Sequence, residues 1–185
     1  MKRRLLYAVA VLCWLGAGAA SAERADRDRP VNIESDRMSA DDAKKTAVFE
    51  GRVVLTQGTL VIRADRLTIR QDKDGYQYGV AVGKLATFRQ KRDGAEEYID
   101  GEAERIEYDG RTDRVEFFEH ARLRRDAGDD VRGNFISYDA RTEFFTVQSA
   151  KNAPPQSPDA RVRVIIMPKR RDADAQAAGA APAAR

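Results

Sequence analysis

From Pro30 to Met167 the chain alternates apolar and polar residues in short runs. That period of two belongs to strands with one face buried. Met38/Ala40, Leu67/Ile69, Ile106/Tyr108 and Ile136/Tyr138 point to one side of their strands, while Arg37, Arg66 and Arg105 point to the other. The pattern also repeats. Ser35-Asp36-Arg37-Met38-Ser39-Ala40-Asp41 is echoed at Ala64–Arg70, at Ala103–Asp109 and at Gly133–Asp139. Phe49, Val53 and Leu55 recur at one constant offset as Phe117, Ala121 and Leu123. Turn signals separate the runs at Gln57-Gly58, Asp72–Gly75, Arg92–Gly94, Asp109-Gly110 and Ala127–Asp130. Turns at this density, with no helical spacing between them, predict an antiparallel all-β domain.

The inward set so defined is Val31, Ile33, Met38, Phe49, Val53, Leu55, Ile62, Leu67, Ile69, Phe88, Ile106, Tyr108, Phe117, Leu123, Ile136 and Tyr138. These side chains can pack shut as the core of a sandwich, or line a groove if the two sheets splay. Alternation alone leaves both open. After a proline-rich linker, Ala153–Pro158, a last strand is expected over Arg161–Met167, ended by Pro168. Residues 169–185 are alanine-rich with scattered charges and are expected to be disordered.

The start of the chain changes how the composition reads. Met1-Lys2-Arg3-Arg4 is followed by an uncharged, mostly apolar run, then by Ala20-Ser21-Ala22 before Glu23. This is the form of a cleavable signal peptide over residues 1–22, cut between Ala22 and Glu23, and it predicts export to the periplasm. Cleavage would remove three of the 33 basic residues and none of the 30 acidic ones, leaving the domain near neutrality. A near-neutral exported domain is a poor candidate for binding nucleic acid. The one cysteine, Cys13, leaves with the signal, so no disulfide is expected in residues 23–168.

Catalytic chemistry has little to stand on. His120 is the only histidine, and neither a second histidine nor a cysteine in the exported part could share a metal with it. The acidic pairs Asp41/Asp42, Glu96/Glu97 and Asp129/Asp130 sit in turns or on polar faces, where solvated charge accounts for them. No serine has a base to activate it, and no glycine-rich phosphate loop follows a strand. The chain is therefore expected to be neither an enzyme nor a cofactor binder.

Val48-Phe49-Glu50-Gly51-Arg52-Val53-Val54-Leu55-Thr56-Gln57-Gly58, with Pro30–Asp36 before it and Ala64-Asp65-Arg66-Leu67 after it, resembles the OstA-like (LptA) family of periplasmic lipopolysaccharide-transport bridge proteins. Gly83–Phe88, Gly101–Tyr108 and Arg161–Lys169 extend the resemblance over about Pro30 to Lys169. Two departures concern turn geometry: Gly51-Arg52 replaces a more usual Gly-Asn, and Glu119-His120 stands where that Gly-Asn often recurs. The resemblance implies an open antiparallel β-jellyroll, two facing sheets in a V, built from repeated hairpin units. It implies that the inward set shields the acyl chains of lipid A while an ATP-driven partner supplies the energy. It also implies head-to-tail self-association, with an LptC-like inner-membrane component at the N-terminal edge (Val31, Asn32, Ile33) and an LptD-like outer-membrane component at the C-terminal edge (Val162, Val164, Ile165, Ile166). The membrane-anchored family component would retain its N-terminal helix, and the barrel-bearing one would need a much longer chain, so the soluble bridge is the expected member. Outside the family, the competing expectation is a periplasmic β-scaffold or polysaccharide-binding module with a closed core.

Overall fold

A computed structural model describes Asp26, residues 29–92, 95–142 and 144–151, Pro154, Ser157 and residues 160–168. The signal segment, the tail, most of the linker and Asp93-Gly94 of one expected turn lie outside the described residues. Ten strands form one sheet: β1 (Asn32–Glu34), β2 (Arg37–Asp41), β3 (Thr46–Gln57), β4 (Leu60–Gln71), β5 (Gln77–Lys91), β6 (Tyr98–Asp109), β7 (Arg114–Arg125), β8 (Asp130–Asp139), β9 (Phe144–Gln148) and β10 (Arg163–Ile165). All neighbours are antiparallel, in the order β1-β3-β4-β5-β6-β7-β8-β10, with β2 also on β3 and β9 also on β8.

The six long strands each serve two layers. Their register breaks along one line, between Glu50 and Val53, Arg63 and Arg66, Val82 and Ala86, Glu102 and Arg105, and Phe118 and Ala121. Bulges of this kind bend a strand and raise its twist. Aligned across the sheet, they fold it in two. One layer holds β2, the halves of β3–β8 that carry Phe49, Leu67, Ala81, Ile106, Phe117 and Ile136, and β9; we call it layer A. Layer B holds β1, the other halves, and β10. β1 and β2 at one end do not pair with β9 and β10 at the other, so the folded sheet stays open rather than closing as a barrel. This is the open antiparallel jellyroll that the family resemblance implies, and the antiparallel all-β domain that the alternation predicts.

The fold line explains the two unusual dipeptides. Gly51 (φ 81°) and Arg52 (φ 48°) both take left-handed backbone conformations, and so do Glu119 (φ 65°) and His120 (φ 54°). A β-carbon at Gly51 would lie 2.3 Å from Asp36 Oδ2, so only glycine lets the chain cross between layers there. Arg52 is retained by its Nε, which donates to Asp36 Oδ1 at 3.1 Å. At the second site His120 Nδ1 lies 2.7 Å from Glu104 Oε1. Neither Glu119 nor His120 is a residue type that favours this backbone region as glycine does. Glu119→Gly is therefore expected to raise stability by about 1 kcal/mol, read as a thermal midpoint roughly 2–4 °C higher. An unchanged or lower midpoint would show that the bulge is held without strain.

Layer A turns share one device. The carboxylates of Asp72, Asp109 and Asp139 each accept from backbone N–H groups two or more residues ahead, such as Tyr76 (2.9 Å), Arg111 (2.8 Å) and Thr142 (3.0 Å). The turns at 42–45 and 140–142, absent from the sequence expectation, complete that row. The last strand is shorter than Arg161–Met167. β10 pairs Arg163–Ile165 with Arg132, Val131 and Asp130 of β8, and β8 starts at Asp130, so no partner strand extends past Ile165. Beyond Arg163 in the other direction, β8 reaches the fold line.

Candidate functional site: the interlayer space and its two mouths

Cross-strand register places fifteen of the sixteen inward candidates between the layers, and Val31, one residue before β1, lines the cleft beside them. In layer A, Met38 faces Phe49, Phe49 faces Leu67, Ile106 faces Phe117, and Phe117 faces Ile136. In layer B, Ile33 faces Leu55, Leu55 faces Ile62, and Ile62 faces Phe88. Leu123 follows on the same side, facing Gly101, which itself faces Phe88. The alternation read from the sequence therefore assigns the correct face in both layers.

The middle of this space is shut. Val53, Leu67, Ile106, Phe117 and Ile136 are at most 2% exposed. Phe117 meets Phe88 edge to face, with centroids 5.8 Å apart. Sequence reasoning missed many of the residues that make this packing possible. Ala81, Ala86, Ala103 and Ala121 are buried small residues, and Leu60, Ile99, Val115 and Val131 complete the core. Of these, Ala86 shares the parity of Phe88, whereas Ala81, Ile99 and Ala103 lie across the bulges of β5 and β6 from Phe88 and Ile106, where parity reverses. Gly101 is also on this face, with its Cβ position occupied by the Phe117 ring.

The two ends are open. At the N-terminal end Val31 (36% exposed) lines a small apolar cleft of about 40 Å³, while Met38 (58% exposed) stands at the edge of layer A outside that lining. Leu55, Leu60, Ile62, Leu67, Ile69 and Tyr108 also line the cleft. At the C-terminal end a second cleft of about 220 Å³ lies between Phe145 of β9 and Val164–Ile166, floored by Leu123 and Val131. Each end thus presents two free strand edges, β1 with β2 and β9 with β10, where the sequence pointed to one. Of the expected edge residues, Asn32, Ile33, Val164 and Ile165 are in strands. Val31, Val162 and Ile166 are not, since they lie one residue beyond the paired segments.

Outside the apolar space the charges are paired across strands. Arg89 Nη1 donates to Asp100 at 2.8 Å, and Arg122 Nε donates to Asp130 at 3.0 Å while Arg132 Nη2 does so at 3.1 Å. The hydrogen bond from Arg122, with help from Arg132, holds the Asp130 carboxyl well below the usual carboxylate range, against an opposing effect of burial. A depressed carboxylate contributes stability that is complete above its unfolded value, near pH 4, and is lost as pH falls toward its folded value. The stability gap between the protein and Asp130→Asn should therefore be widest above about pH 4 and narrow below it. A gap that does not change with pH in acid denaturation series would rule out this linkage.

A sequence profile of the family described as LptA/(LptD N-terminal domain) LPS transport protein matches residues 32–144, from β1 to the start of β9. The chain belongs to this family. Its relatives include the lipopolysaccharide export system protein LptA of Haemophilus influenzae, 32% identical over 132 residues that cover 70% of this chain and 76% of that protein. LptH of Pseudomonas aeruginosa is 29% identical over 158 residues, covering 85% of this chain and 90% of that protein. Among solved structures, the crystal structure of P. aeruginosa LptH, titled as the LptA-homologous periplasmic component of the conserved lipopolysaccharide transport device, superposes with a TM-score of 0.70. That match has 28% identity and covers 78% of this chain and 99% of the other. The family is one of lipopolysaccharide-transport proteins.

Proposed function

We propose that the protein is a periplasmic carrier that bridges the two membranes and covers the acyl chains of lipopolysaccharide between layers A and B. The observation that carries this reading is a continuous apolar face running from one open mouth to the other in a member of a lipopolysaccharide-transport family. Each methylene left in water costs about 0.8 kcal/mol, so a chain of a dozen carbons costs roughly 10 kcal/mol unless it is covered. The protein in turn binds without covalent chemistry and hands its cargo on, with energy supplied by an ATP-driven partner. Export would proceed by cleavage between Ala22 and Glu23.

The packed middle also fits a closed β-scaffold or a polysaccharide-binding module, so the test must see lipid inside. Photo-crosslinkers at Phe88, Ile106 and Tyr108, which face inward, should capture lipopolysaccharide far more than crosslinkers at Arg89 and Glu107, which face outward. Equal capture on both faces would eliminate the interlayer carrier. The partner edges follow the same logic. Each layer ends in a free strand at both ends, so head-to-tail stacking would continue both layers, β10 onto β1 and β9 onto β2 of the next copy. An LptC-like component would take the β1/β2 end and an LptD-like component the β9/β10 end. Sedimentation over a concentration series tests the stacking: a ladder of species supports it, and a monomer throughout that binds neither partner domain overturns the bridge.

A further inference from the structure

Layer B carries an unusual charge arrangement on its outer face. Arg122 of β7 faces Arg132 of β8, and Arg132 faces Arg163 of β10. Three arginines thus stand directly opposite one another across adjacent strands, an arrangement that opposes folding through like-charge repulsion. Arg124, one pair along, faces Asp130. Three carboxylates adjoin these four arginines: Asp130, shared by Arg122 and Arg132, Glu102 of β6, which faces Arg122 and accepts from its Nη1 at 3.4 Å, and Asp100 of β6, which faces Arg124 but is held by Arg89. Arg124 and Arg163 are exposed and make no ion pair among the described residues. The corresponding face of layer A, on β7 to β9, instead sets Arg114 against Glu116 and Asp139. The excess positive charge is therefore local to one side of one end. Arg125, ion-paired with Asp129 at 3.9 Å, stands at the tip of β7 on the rim of the C-terminal apolar cleft.

We propose that this four-arginine face is a phosphate-binding surface for the phosphorylated saccharide of the lipopolysaccharide whose acyl chains lie between the layers. The proposal rests on the carrier reading above. Guanidinium groups recognise phosphate through paired N–H donors, and a multiply phosphorylated sugar would relieve the repulsion that the three facing arginines impose. The patch lies on the outer face of the same layer B strands, β7, β8 and β10, whose inner face supplies Leu123, Val131 and Val164 to the C-terminal cleft.

The test uses the full exported chain and three probes: fully deacylated lipopolysaccharide that keeps its phosphates, the same saccharide after dephosphorylation, and phosphatidylglycerol vesicles. The deacylated phosphosaccharide should bind in a salt-sensitive manner, weakening steeply between about 20 and 300 mM salt, and the dephosphorylated form should not bind. The double variant Arg132→Gln/Arg163→Gln should weaken phosphosaccharide binding roughly tenfold, while Arg132→Lys/Arg163→Lys restores most of it. A thermal midpoint that does not fall in either variant keeps loss of folding out of the comparison. No binding of the phosphosaccharide, salt-independent binding, or undiminished binding by the Gln variant each overturns the proposal. Binding to the vesicles but not to the saccharide also overturns it, assigning the face to a membrane surface. Crosslinking of intact lipopolysaccharide at Tyr108 separates the two layers of inference. Capture there with no saccharide binding leaves the carrier standing without this surface, whereas no capture removes the carrier itself.

Discussion

Gly101→Val should lower the free energy of unfolding by about 3 kcal/mol, seen as a lower denaturation midpoint at unchanged slope. Gly101 lies in layer B, facing the interlayer space between Phe88 and Leu123. A β-carbon there would sit 2.3 Å from Phe117 Cε1 and 2.5 Å from Cζ. The ring cannot swing away, because Phe117 is fully buried and packs edge-on against Phe88. The remaining response is to push the layers apart, and that exposes the core. Gly79 supplies the contrast, since it faces the same space and its β-carbon would meet only Tyr108 Cβ, at 3.9 Å. Gly79→Ala should therefore be close to neutral. Combining Gly101→Val with Phe117→Leu should cost less than the two separate changes added together, because the shorter side chain vacates the occupied space. Strict additivity would show that Gly101 matters for its backbone and not for the ring above it.

What was legible in the sequence is what strand parity encodes locally. Fifteen of the sixteen inward residues fall on the inner face because a period of two holds within each half-strand of either layer, and Val31, just before β1, lines the cleft beside them. The repeats carried information too. Gly51-Arg52 and Glu119-His120 recur at the same offset as Phe49 and Phe117, and the structure turns both pairs into left-handed bulges on one line. The long-range consequence was not legible. The alternation of Leu60–Gln71 changes phase between Ala64 and Leu67, but a phase change alone does not distinguish a strand that serves two layers from a local bulge within one. Hence β2 and β9 were not foreseen as edges of a second layer. The end of β10 was also set from afar, by where β8 stops pairing. Small core residues escaped for a simpler reason. Ala86 and Ala103 look neutral in a hydrophobic pattern, yet their size decides how closely the layers approach.

Ile106→Asp and Met38→Asp should part company, and the difference locates the lipid path. Both residues are on the inner face of layer A, and both substitutions place a carboxylate on an apolar surface. Ile106 is 1% exposed, between Ala81 and Phe117 in register, with no cation within the packed interior to receive the charge. Burying that carboxylate should cost about 4 kcal/mol or more, enough to leave little folded protein. Loss of transport in this variant would therefore report on the fold and not on the cargo. Met38 is 58% exposed at the N-terminal edge of layer A, paired with Phe49. There the aspartate keeps its water, and stability should stay within about 0.5 kcal/mol of the parent. An acyl chain entering between β1 and β2 would nonetheless have to slide past a hydrated charge. Lipopolysaccharide captured by a crosslinker at Tyr108, which lines the N-terminal cleft, should fall roughly threefold or more. A folded Met38→Asp protein that captures lipid at Tyr108 as well as the parent does would mean that the cargo enters elsewhere. The long opening between the hairpin turns of the two layers would then be the remaining route, because the C-terminal mouth is separated from Tyr108 by the packed middle.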